Sequence, residues 1–108
     1  MKPGVYQDNE DTKRAEDAYW AEHGYTFGSW QFLPSTGEIR RNGFHLIQLP
    51  PTLAALLSEL IAVYPRYIAG DSDGVYKVNV RRLRQRLGDD VILSVHAWGY
   101  KFNPEAVM

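Results

Sequence analysis

The sequence predicts a single α+β domain, on three observations. Apolar and polar residues alternate with the period of half-buried strands through residues 25–49 and again through 91–102. Between these regions, the stretches Leu53–Tyr64 and Tyr76–Leu87 place apolar residues at helical spacing. A chain of 108 residues holds one core, just large enough to fold without disulfide or metal staples.

The elements follow in order. Residues 8–24, DNEDTKRAEDAYWAEHG, carry acids early, set Ala15, Ala18, Tyr19 and Glu22 at helical spacing and end on Gly24. They predict a short amphipathic helix anchored by Tyr19 and Trp20. YTFGSWQF then alternates Tyr25 and Phe27 with Trp30 and Phe32 around a Gly-Ser break, as two strands would. In EIRRNGFHLIQL, Asn42-Gly43 is a strong hairpin signal between Ile39 and the apolar run Phe44, Leu46, Leu49. Prolines at 50 and 51 suit a helix start, and Leu53, Leu56, Leu57, Leu60, Ile61 and Tyr64 mark the buried stripe of the helix that follows. PRYIAGDSDG, residues 65–74, reads as loop; its Asp71-Ser-Asp73-Gly matches part of a calcium loop but lacks the closing Glu, which makes it a turn. After a second helix, residues 75–87, VILSVHAWGYKF reads as a hairpin with His96 and Trp98 near its tip.

Composition narrows the function classes. With no cysteine the chain has neither disulfides nor thiolate metal sites, which suits the cytoplasm. The start MKPGVYQDNE lacks the apolar run of an export signal, and Leu53–Tyr64, interrupted by Ser58 and Glu59, is too short to span a bilayer. His23, His45 and His96 fall in three separate elements, with no nucleophile motif, phosphate loop or metal-ligand spacing near them. The expectation is a protein that is not an enzyme and that takes no cofactor and no metal.

The net charge of −1 hides an uneven distribution. Residues 1–25 carry three basic and six acidic groups, residues 26–74 three and four, and residues 75–108 six and three. The surplus gathers in VYKVNVRRLRQRLG, where Lys77, Arg81, Arg82, Arg84 and Arg86 stand with no acid among them. At about 100° per residue, Tyr76, Val80, Leu83 and Leu87 fall on one arc and Lys77, Arg81, Arg84 and Gln85 on the other, with Val78 and Arg82 on the flank and Gly88 as the stop. Such a face forgoes intrahelical ion pairs and repels itself by a few tenths of a kcal/mol per pair. Phosphate compensates it naturally, because guanidinium binds phosphate through two parallel hydrogen bonds.

Taken together, a small N-terminal sheet, a buried helix, a basic helix and a hairpin ending in Gly-Tyr-Lys-Phe look like a winged helix. More narrowly, residues 25–103 resemble the OmpR/PhoB-type DNA-binding domain, shared by the ToxR and CadC relatives. The resemblance rests on YTFGSWQFLPSTGEIRRNGFHLIQLPPTLAALLSEL for the opening sheet and first helix, VYKVNVRRLRQRLG for the recognition helix and VILSVHAWGYKF for the wing, in the family's order. It implies a winged helix-turn-helix with an N-terminal antiparallel sheet and a C-terminal β-hairpin wing, preceded by an acidic extension at 1–24 and followed by a tail at 104–108. It implies a sequence-specific transcriptional regulator of double-stranded DNA, with helix 75–87 in the major groove and wing 94–101 near the minor groove. By position, Lys77, Asn79, Arg81, Arg82, Arg84 and Arg86 supply helix contacts, Arg81 and Arg84 reaching base edges and Val78 a thymine methyl. Ser94, His96, Trp98 and Lys101 are the wing's candidates. Binding as a homodimer on tandem half-sites would follow the family's habit.

The chain departs from the family pattern in two places. The helix that should precede the recognition helix is missing or reduced, its interval filled by residues 65–74; we expect the N-terminal helix to pack there instead, over Tyr76, Val80 and Leu83. The wing also carries His96 and Ala97 where the family has arginine and glycine. With no receiver domain or transmembrane segment attached, the expectation is of a free-standing effector domain. Its alternative is a degenerate winged helix that contacts RNA polymerase or another regulator without binding DNA.

Overall fold

A computed structural model describes residues 18–69, 74–95 and 99–108. The chain is mixed α+β, with two antiparallel sheets around one core. Residues 18–23 are helical (α1). The strands β1 (Tyr25–Phe27), β2 (Trp30–Leu33), β3 (Glu38–Arg41) and β4 (Phe44–Gln48) then form a meander in that order. Helix α2 (Pro51–Val63) follows, then β5 (Ile68–Ala69), α3 (Val75–Leu87), the hairpin β6 (Ile92–Val95) and β7 (Gly99–Phe102), and a 3₁₀ turn at Pro104–Ala106. The second sheet has the order β5-β7-β6.

The turn chemistry explains the meander. Asn42 and Gly43 both take positive φ, 54° and 80°, as a two-residue hairpin turn requires. A register shift at Ile39/Arg40 then changes which residues of β4 face inward. Ile47 and Leu49 pack on the core, whereas Phe44 and Leu46 are 78% and 55% exposed, so the expected run Phe44, Leu46, Leu49 is split by the bulge.

Helix α2 opens with proline at N1 and buries Leu53, Ala54, Leu56, Leu57, Leu60 and Ile61. Tyr64 lies just beyond it as the C-cap; it is partly exposed and sets its ring edge-on to Phe102. Helix α3 buries Val80 and Leu83, packs half-buried Tyr76 and Leu87 beside them, and stops at Gly88, whose N–H donates to the Arg84 carbonyl at 2.8 Å. These elements share one cluster with Trp30, Phe32, Ile39, Ile92 and Phe102. The tail joins it too: Val107 is buried, and its carbonyl accepts from Arg41 Nη2 at 3.1 Å.

Three expectations are corrected. The interval 65–74 is not all loop, because Ile68 and Ala69 pair with Tyr100 and Gly99 of β7. Tyr19 is no anchor; it is exposed, its ring tilted against His23 with centroids 4.4 Å apart. Nor do residues 18–23 cover Tyr76, Val80 and Leu83, which already pack into the shared core. Trp20, 2% exposed, lies instead 4.0 Å from the Arg40 guanidinium, whose Nε donates to Gln31 Oε1 at 2.7 Å. Arg40 and Gln31 pair across β3 and β2 on the face opposite Ile39 and Phe32. A guanidinium on that face calls for an aromatic partner, and Trp20 supplies it. The Asp71–Asp73 turn lies outside the described residues. No helix among the described residues is long and apolar enough to cross a membrane.

The pairing of β5 with β7 is close enough to test. A Cβ at Gly99 would overlap the Ile68 carbonyl and press on the Tyr67 ring. Gly99→Ala should displace β5 and cost about 1–3 kcal/mol, seen as a lower urea midpoint. An unchanged midpoint would show that β5 adds nothing to the fold.

Candidate nucleic-acid interface

Helix α3 stands between α2 and the C-terminal hairpin, and its polar face is left outward by the burial of Val80 and Leu83. Lys77, Arg81, Arg82, Gln85 and Arg86 are exposed on it, Val78 is 37% exposed, and Asn79 and Arg84 are half-buried. Lys77, Arg81, Arg82 and Arg86 make no hydrogen bond or ion pair with the described residues. Four cations thus lie on the outward side of α3 with no ion-pair partner among the described residues. Their desolvation by a polyanion would be offset by charge-assisted hydrogen bonds.

A cleft runs along each flank of the helix. On the hairpin side, one of about 350 Å³ is lined by Lys77, Val78, Arg81, Arg84, Gln85, Asp89, Ser94 and Tyr100. On the α2 side, one of about 440 Å³ is lined by Pro50, Thr52, Leu53, Asn79, Arg82, Gln85 and Arg86. The basic row is therefore divided: Lys77 and Arg81 look toward the hairpin, Arg82 and Arg86 toward the start of α2. Among the described residues, Asp89 is the acid lining the first cleft, and none lines the second.

The hairpin residues separate by strand alternation. Ser94 pairs with Tyr100 on the face turned to α3, while Leu93 pairs with Lys101 on the other. Lys101 is thereby kept out of the cleft that Ser94 enters. His96 and Trp98 lie outside the described residues. Arg84 is engaged rather than free: Nε and Nη2 donate to the Ile92 carbonyl at 3.0 and 2.7 Å, and Nη2 to Ser94 Oγ at 3.1 Å.

Of the eleven residues expected from the sequence, the structure brings five together in the first cleft, Lys77, Val78, Arg81, Arg84 and Ser94, and Asn79, Arg82 and Arg86 in the second. Gln85, Asp89, Tyr100, Pro50, Thr52 and Leu53 complete the clefts and were not expected. Gln85 carried a signal, since it lies on the basic side of the wheel. The others come from elements distant in sequence or from a turn, and spacing alone does not join them to α3. No protein-family model and no curated protein matches the chain.

Proposed function

We propose that the chain is a sequence-specific double-stranded DNA-binding regulator of the winged-helix type, with α3 in the major groove and the C-terminal hairpin along an adjacent minor groove. The observation that carries this is the convex face of α3, where Lys77, Arg81, Arg82 and Arg86 project between two clefts with no acidic partner among the described residues. A helix of this width fits the major groove, and phosphates on its two walls would meet cations on both flanks. The order β5-β7-β6 supports the winged reading, because a strand between the two long helices completes the sheet of the hairpin. The helix that the resemblance implies before α3 has no counterpart among the described residues.

One feature favours the protein-interaction reading. A cleft of about 360 Å³ between α2 and the start of α3, lined by Thr52, Ala55, Leu56, Glu59, Val75, Tyr76 and Asn79, is more apolar than the other two. It does not account for four cations without an acidic partner among the described residues, which DNA does, and DNA is the reading adopted.

Selection from random duplexes tests it. The wild type should recover fragments sharing one motif. Lys77→Ala/Arg81→Ala should blur that motif, since a good bidentate base contact discriminates by about 1–3 kcal/mol. Arg82→Ala/Arg86→Ala should bind the same motif more weakly. Absence of wild-type binding at about 50 mM salt, where phosphate contacts are strong, would overturn the proposal in favour of a protein partner.

A further inference from the structure

Resting on that reading, we infer that Arg84 does not contact DNA and is instead the positioning residue that sets the hairpin against α3. The base of the hairpin is tied by Ile92 and Phe102 in the core and by Asn103, whose N–H donates to the Val91 carbonyl at 2.8 Å and whose Nδ2 donates to the Asp90 carbonyl at 3.0 Å. These contacts hold the root of the hairpin and leave its outward reach to be fixed. Arg84 fixes it from the helix. Two of its nitrogens converge on the Ile92 carbonyl, at 3.0 and 2.7 Å, one continues to Ser94 Oγ at 3.1 Å, and the guanidinium carbon lies 5.9 Å from the centre of the Tyr100 ring. Contacts to both strands of the hairpin constrain twist as well as distance.

The chemistry is particular to arginine. A planar fork reaches a carbonyl, a hydroxyl and a ring face together, whereas an ammonium on a flexible stem cannot hold all three. Ser94 gains a role as well. Its oxygen accepts from Arg84, so its own O–H stays available to donate toward a phosphate on the hairpin side. Arg84 thereby governs the spacing of two DNA-touching elements without lending its charge to either, and base reading on this flank falls to Lys77 and Arg81.

Arg84→Ala, Arg84→Lys and Ser94→Ala, each compared with the wild type on the selected duplex, test this through salt dependence and hydroxyl-radical footprints. Arg84→Ala should weaken binding by roughly tenfold, keep the wild-type salt slope, and lose protection on the segment covered by the hairpin while that under α3 persists. Arg84→Lys should not rescue it. A slope shallower by about 0.9, one phosphate contact, or full rescue by lysine, would place Arg84 on DNA and overturn the inference. In the free protein, amide exchange of Arg84→Ala should speed at Ile92–Val95 and not in α2; acceleration throughout would mean a general loss of stability and likewise overturn it. A wild type that binds no duplex would instead refute the DNA reading itself.

Discussion

Phe102→Ala is expected to remove about 3–5 kcal/mol of folding stability, enough to leave a marginal domain of this size substantially unfolded. The ring has no solvent exposure and joins separate elements of the core. Its centroid lies 5.0 Å from Phe27, 6.2 Å from Trp30 and 6.3 Å from Tyr64, so one side chain of the hairpin touches the first sheet and the end of α2. The cavity left by its removal is walled by three rigid rings, which collapse poorly into an empty space. Aromatic pairs add about 0.5–1.5 kcal/mol beyond the area they bury, and three, two tilted and one edge-on, are lost together. Thermal melts followed by far-ultraviolet circular dichroism would measure the effect. Leu93→Ala is the control, since Leu93 is on the same hairpin but 37% exposed, and it should shift the melt little. Equal melts for Phe102→Ala and wild type would mean that the two sheets do not depend on a shared core.

The second large effect is on DNA. With Arg82 and Arg86 set against phosphates and Lys77 and Arg81 against base edges, one bound copy should show a log–log salt slope of about −1.8. Affinity would then fall roughly 12-fold between about 50 and 200 mM salt. Removing Arg82 and Arg86 should flatten the slope to near zero. Fluorescence anisotropy on a labelled duplex gives both numbers directly. A wild-type slope near zero would show that the cations of α3 do not meet phosphates. A slope near twice the value would point to two copies per duplex.

How far the sequence disclosed this arrangement differs from element to element. Helix α3 was legible because its burial follows periodicity: Tyr76, Val80, Leu83 and Leu87 fall on one arc and all four pack on the core. Asn42-Gly43 was legible because its turn type depends on two adjacent residues. Strand β5 was not, since a two-residue strand exists only through its partner β7, about thirty residues away in the chain. The exposure of Phe44 and Leu46 goes with a bulge that leaves Leu46 without a partner in β3, and such a break depends on the pairing of two strands rather than on the sequence of β4 alone. For the candidate interface, the residue types were readable and their assignments were not. Arg84 looked equivalent to Arg81 on the wheel, and what sets it apart is a backbone carbonyl at Ile92, an acceptor every residue possesses.

The two tryptophans of the N-terminal half make the molecule self-reporting. Trp30 lies in the core and Trp20 under the Arg40 guanidinium, on opposite faces of one sheet, and each is 2% exposed. In a Trp98→Phe background, Trp20→Phe leaves an indole that senses only the core, and Trp30→Phe leaves one that senses only the seating of α1. Steady-state emission then separates release of α1 from collapse of the domain, with no dye attached and the basic helix α3 untouched.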